Sequence, residues 1–136
     1  MACSEHFPDS ELQCRCGCGV NECTPELVGA LENIRSEVGG PVIVDNACRC
    51  PAHNKAVGGA RYSQHVLGLA ADIRVAGLSA WDLYQIVLRV PAVRGVGRND
   101  HQDFVHVDVR QDPARWCYSA RGEQTAWYTP ESIESA

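Results

Sequence analysis

The chain has 136 residues, 45% apolar and 21% charged, a balance that allows a buried core and excludes a disordered polypeptide. No window reaches the roughly 18 uninterrupted apolar residues that a bilayer span needs, which excludes a membrane partner. A net charge of −5, with Lys and Arg scattered along the chain, leaves no footprint for a phosphate backbone and excludes nucleic acid.

The length predicts one domain over residues 1–136, acting as a monomer with one cleft. Met1 to Gln13 lacks the basic start and apolar run of a secretory signal, which predicts cytoplasmic synthesis. The first segment, about residues 1–23, is loop-like and rich in cysteine. The eight cysteines are Cys3, Cys14, Cys16, Cys18, Cys23, Cys48, Cys50 and Cys117. If all were paired, 105 connectivities would be open. The run Cys14-Arg15-Cys16-Gly17-Cys18 has one-residue gaps, whereas zinc knuckles space their thiolates by two to four. Disulfides or thiols are therefore the favoured reading, and a second, cysteine-bound metal is the competing one.

Thr24-Pro25-Glu26 reads as a helix start, and Leu27, Leu31, Ile34 and Val38 recur at helical spacing until Gly39-Gly40. Pro41 to Asp45 predicts a short strand leading to a loop at Asn46, and Pro51 to Gly58 a short helix. Ala70 to Val75 alternates in the strand manner, with Asp72 on the face opposite Ala71, Ile73 and Val75. Ser79 and Asp82 form a capping-box pattern for a helix carrying Leu83, Ile86, Val87 and Val90. Gly58-Gly59 and Gly95-Val96-Gly97 read as backbone turns near the cleft. Phe104 to Arg110 alternates again, with His106 and Asp108 opposite Val105, Val107 and Val109. Trp81, Trp116 and Trp127 read as core or edge aromatics, and His6, His53 and His101 as peripheral.

If the two alternating strands pair, Asp72 and His106 stand side by side on a rigid support. Two imidazoles and one carboxylate are a three-ligand set for Zn²⁺ that leaves a position open for water. His65, Asp72 and His106 supply that set. A nearby carboxylate must then move the proton to the leaving amine, and Asp103 is the candidate. Residues three apart on a regular strand face opposite ways, so Asp103 and His106 can share a site only if Asp100 to Asp103 is a turn and the strand begins near Phe104.

These residues bring the chain close to a known family. Ser63-x-His65-x-x-Gly68-x-Ala70-x-Asp72, Asp103-x-x-His106, and Arg49-Cys50-Pro51-x-x-Asn54 with Val57-Gly58-Gly59-Ala60 resemble the D-alanyl-D-alanine zinc metallopeptidases. That family shares a superfamily with lysostaphin-type enzymes and the hedgehog domain. The resemblance spans about Pro41 to Trp116, and His6-Phe7 with the Cys-x-Cys-Gly-Cys-Gly run extends it to compact bacterial and phage members. It implies an α+β fold, a small antiparallel sheet carrying one catalytic Zn²⁺ beside packing helices. It implies a peptidoglycan peptide or muropeptide as substrate, reached at the cell wall or periplasm after release or export. By the same resemblance Arg49 polarises the scissile carbonyl or stabilises its oxyanion, and Ser63 orients substrate. Asp108, on the His106 face, can fix that imidazole by accepting its remote N–H. The expected reaction is D-alanyl-D-alanine carboxypeptidase hydrolysis. A phage-lysin-type L-alanyl-D-glutamate endopeptidase and a non-catalytic zinc-containing binding module are the alternatives.

Overall fold

A computed structural model describes residues 4–14, 16, 23–57, 64–118 and 124–128. In chain order the elements are α1 (Asp9–Leu12), α2 (Pro25–Val38), β1 (Ile43–Asn46), α3 (Pro51–Ala56), β2 (Ala70–Arg74), α4 (Ala80–Val87), β3 (Gly95–Asn99), β4 (Phe104–Asp108), β5 (Ala114–Tyr118) and β6 (Gln124–Tyr128). The fold is α+β: one six-stranded sheet in the order β1-β2-β4-β3-β5-β6, with helices beside it. Among the described residues no helix is long and apolar enough to cross a membrane.

Both longer helices end where local chemistry stops them. Thr24 Oγ1 accepts the Leu27 N–H at 3.2 Å to start α2, and Gly39, at φ 75°, closes it with its N–H on the Arg35 carbonyl. In α4 the capping box is complete: Ser79 Oγ accepts the Asp82 N–H at 3.1 Å, and the Asp82 carboxylate accepts the Ser79 N–H at 3.2 Å. The buried stripes of the two helices, Leu27, Leu31 and Ile34 with Leu83 and Val87, share one apolar cluster with Val44, Ala71, Ile73, Val96, Val105 and Val107 of the sheet. Each fully buried aliphatic side chain contributes about 1.5–3 kcal/mol, so this face anchors the sheet and frees the other for chemistry.

The sheet is mixed, where the sequence suggests an antiparallel one, because β5 pairs with β3 in parallel. The chain leaves β4, wraps around Arg94 and enters β5 along the other edge of β3. Arg94 marks the pivot, its N–H donating to the Asp108 carbonyl at 2.8 Å and its carbonyl accepting from Ala114 N–H at 3.1 Å. The remaining ladders are antiparallel. Their register aligns Asp72 of β2 with His106 of β4, His106 with Gly97 of β3, and Gly97 with Trp116 of β5. The next row aligns Ala70, Asp108, Gly95 and Ala114. Residues in register share a face, so Asp72, His106, Asp108 and Trp116 lie together, away from the helices.

Gly95 and Gly97 lie inside β3, where the sequence suggests a turn. Close approach explains them better than backbone freedom. A Cβ at Gly95 would collide with the Asp108 carboxylate, and a Cβ at Gly97 with the Trp116 indole.

Candidate metal centre

His65, Asp72 and His106 each present one ligand atom within 4.8 Å of the others, and all three are buried. His65 Nε2 lies 3.3 Å from Asp72 Oδ1, and His106 Nδ1 lies 3.1 Å from the same oxygen. Four donors placed tetrahedrally at about 2.0–2.1 Å from one ion would stand about 3.3–3.4 Å apart, so these separations fit a small divalent metal. The imidazoles meet edge to face, with ring centroids 5.2 Å apart. His65 Nε2 and His106 Nδ1 converge without the rings clashing.

The remote nitrogen of each imidazole is also held. His65 Nδ1 lies 2.8 Å from the Ala47 carbonyl, which can only accept, so Nδ1 carries a proton and Nε2 is the nitrogen turned towards Asp72. His106 Nε2 lies 2.8 Å from Asp108 Oδ2. Asp108 is itself clamped by Arg110, whose Nε and Nη2 donate to its two oxygens at 2.8 and 2.7 Å. That fork leaves the short carboxylate no room to yield. The Arg110 guanidinium then lies 4.9 Å over the Trp116 ring, and Trp116 packs on His106 at 5.1 Å between centroids. Gly97 makes this possible by leaving its place on the row to the indole.

Asp108 would therefore act on a bound metal through His106, and Gly95 through Asp108. Both Asp108→Asn and Gly95→Ala are expected to weaken zinc binding by roughly 10–100-fold, read by competition with a chromophoric chelator. Unchanged affinity in both variants would sever this link.

Charge is balanced tightly here. Burial would push the Asp72 carboxyl up, but the charge of His65 and the hydrogen bond from His106 hold it well below the usual carboxylate range. Burial would likewise raise Asp108, and hydrogen bonds from His106 and Arg110 hold it down. For His106, burial favours the neutral ring, yet hydrogen bonds to Asp108 and Asp72 outweigh it and raise the pKa from 6.5 to about 9. In the metal-free protein a raised pKa means that this stabilisation is complete below pH 6.5 and is lost as pH climbs through about 9. The depressed carboxylates act oppositely, contributing above pH 3.8 and failing as pH falls below it. Chelated protein should thus be most stable between these limits. Its melting temperature should decline from pH 6.5 to 9 more steeply than that of the zinc-loaded protein, in which the metal has displaced the proton.

Arg49 is buried beside this cluster. Its N–H donates to the His65 carbonyl at 3.2 Å, and its Nη1 donates to Asn54 Oδ1 at 2.9 Å. Its Nε is buried and finds no hydrogen-bond partner among the described residues, so the guanidinium keeps donor capacity. Asn54, present in the Arg49-Cys50-Pro51-x-x-Asn54 motif without a role, is what fixes the fork.

Asp103 is not brought into the ligand cluster. Residues 100–103 do form the turn that the spacing requires, β4 begins at Phe104, and Asp103 has φ 59°. Its carboxylate is exposed, and Oδ1 accepts the Ala80 N–H at 2.7 Å, satisfying an orphan donor in the first turn of α4. Ser63, and the Gly58-Gly59-Ala60 run, lie outside the described residues. His6 is peripheral, 2.7 Å from Glu32, and His101 is exposed on the turn.

Sheet, helices and a buried two-histidine, one-carboxylate cluster together define a metal-dependent hydrolase architecture. The family model for peptidase M15 matches residues 5–108, and the chain belongs to this zinc-dependent peptidase family. No curated protein matches the chain. The family match ends at Asp108, so β5, with the Trp116 that walls His106, lies beyond it.

Proposed function

We propose that this protein is a zinc peptidase that cleaves an amide bond in bacterial cell-wall peptides, with the terminal D-alanyl-D-alanine bond as its substrate. The observation that carries the reading is the convergence of His65 Nε2, His106 Nδ1 and Asp72 Oδ1, with each imidazole locked from behind. These three residues would hold the metal. A zinc ion bound there supplies Lewis-acid polarisation of a carbonyl and lowers the pKa of a water towards neutrality. Arg49, tied to the His65 carbonyl by its own N–H and so placed beside the cluster, supplies a guanidinium for the negative charge that gathers on the carbonyl oxygen. A buried guanidinium also matches a substrate that ends in a carboxylate, as a carboxypeptidase substrate does.

Asp103 supplies the proton transfer. Oδ1 is held by the Ala80 N–H outside the ligand cluster, so the assignment rests on the place of Asp103 three residues before His106, with Oδ2 as the oxygen that would accept a proton from water and deliver it to the leaving amine.

Zinc-loaded protein incubated with defined pentapeptide muropeptides, with products analysed by mass, tests the assignment. Loss of one terminal D-alanine supports it. Cleavage between L-alanine and D-glutamate replaces it with the endopeptidase reading. Intact muropeptides alongside bound zinc would leave a binding module.

A further inference from the structure

A second cluster of metal-ligating atoms lies outside this site. Cys14, Cys16 and Cys50 bring their sulfurs into a triangle with edges of 3.5, 3.7 and 3.7 Å. A disulfide would place two of them about 2.05 Å apart, and no disulfide joins the described cysteines. Thiolates at about 2.3 Å around a tetrahedral ion stand about 3.8 Å apart, close to the observed edges. The third ligand comes from a separate loop. The one-residue gap between Cys14 and Cys16, which argues against a contiguous knuckle, is therefore no obstacle to a discontinuous site.

We propose that Cys14, Cys16 and Cys50 hold a second, structural zinc ion that clasps the N-terminal segment to the active-site loop. The surroundings favour thiolate. The Cys50 N–H donates to Cys14 Sγ at 3.3 Å, as backbone amides do towards ligating sulfur.

The placement gives the ion a task. Cys48 N–H donates to the Leu12 carbonyl at 3.0 Å, so residues 12–14 and 48–50 already run side by side. That same loop carries the Ala47 carbonyl that holds His65 Nδ1, and it carries Arg49. An ion at Cys50 would tie down the backbone from which one catalytic ligand and the oxyanion donor are positioned. Among the described residues the cluster has three donors, and the proposal concerns these three.

Metal content of the full chain, purified under reducing conditions, tests it. Wild type should carry two zinc ions per chain. His65→Ala/His106→Ala should retain one, and cobalt substituted into that variant should show a thiolate-to-metal charge-transfer band. Cys16→Ser, chosen because Cys16 is exposed, should lose one ion. The proposal is overturned if the double-histidine variant binds no zinc and cobalt produces no thiolate band. That variant keeps every cysteine, so it decides the matter even if the cysteine variant fails to fold. Because the readout is metal content in a chain without the catalytic ligands, a failed peptidase reading leaves this result unaffected.

Discussion

Asp72→Ala is expected to lower amide hydrolysis by on the order of 10³-fold or more and to strip zinc from the histidine site. Asp72 is the anion of the proposed ligand set, and one of its oxygens is shared at 3.3 and 3.1 Å by His65 and His106. Without it, only the two imidazoles remain, and the several kcal/mol of transition-state stabilisation that a metal supplies is lost, where each 1.4 kcal/mol is a factor of ten. Stability should suffer less than activity. Truncating one partner of a buried ion pair costs about 3–5 kcal/mol when the other is stranded, but His106 keeps Asp108 at 2.8 Å. A folded, zinc-poor, inactive variant is thus the expected outcome, read by circular dichroism, metal analysis and muropeptide turnover. An active variant would remove Asp72 from the site.

Asp103 calls for a pair of substitutions, because its carboxylate has two roles to separate. Asp103→Asn keeps an oxygen for the Ala80 N–H and removes the base; Asp103→Ala removes both. General-base catalysis contributes about 10²–10⁴-fold, so both variants should lose that much in kcat. Only Asp103→Ala should also lose helix stability, by about 1 kcal/mol, since it alone leaves the first-turn donor of α4 unsatisfied. If Asp103→Asn turns over within a few-fold of wild type, Asp103 is a helix cap and the proton acceptor lies elsewhere.

Much of this was legible in the residues, for reasons that can be stated. Helix α2 announces itself through Thr24, Pro25 and Gly39, each acting within one turn of its neighbours, and α4 through Ser79 and Asp82. Local signals of this kind survive folding unchanged. Strands β2 and β4 were readable because both alternate, and alternation fixes which residues share a face. The pairing of Asp72 with His106 follows once the two strands are neighbours.

Strand β3 was obscured because Gly95 and Gly97 are poor strand formers, and the reason for them lies on other strands, in Asp108 and Trp116. The parallel ladder of β5, and the packing of Trp116 on His106, depend on a long-range wrap around Arg94 that no local pattern encodes. The cysteine triangle joins residues 36 apart in sequence, so spacing alone does not reveal it. Asp103 is the instructive case. The need for a turn could be deduced from strand geometry, but the carboxylate's bond to Ala80 could not, because it depends on where α4 begins.

The central claim is that His65, Asp72 and His106 hold one catalytic zinc, and anomalous diffraction at the zinc edge from crystals of the zinc-loaded protein tests it most directly. An anomalous peak enclosed by His65 Nε2, Asp72 Oδ1 and His106 Nδ1, absent in Asp72→Ala, is the expected result. Zinc-replete crystals with no peak between those three atoms would contradict it.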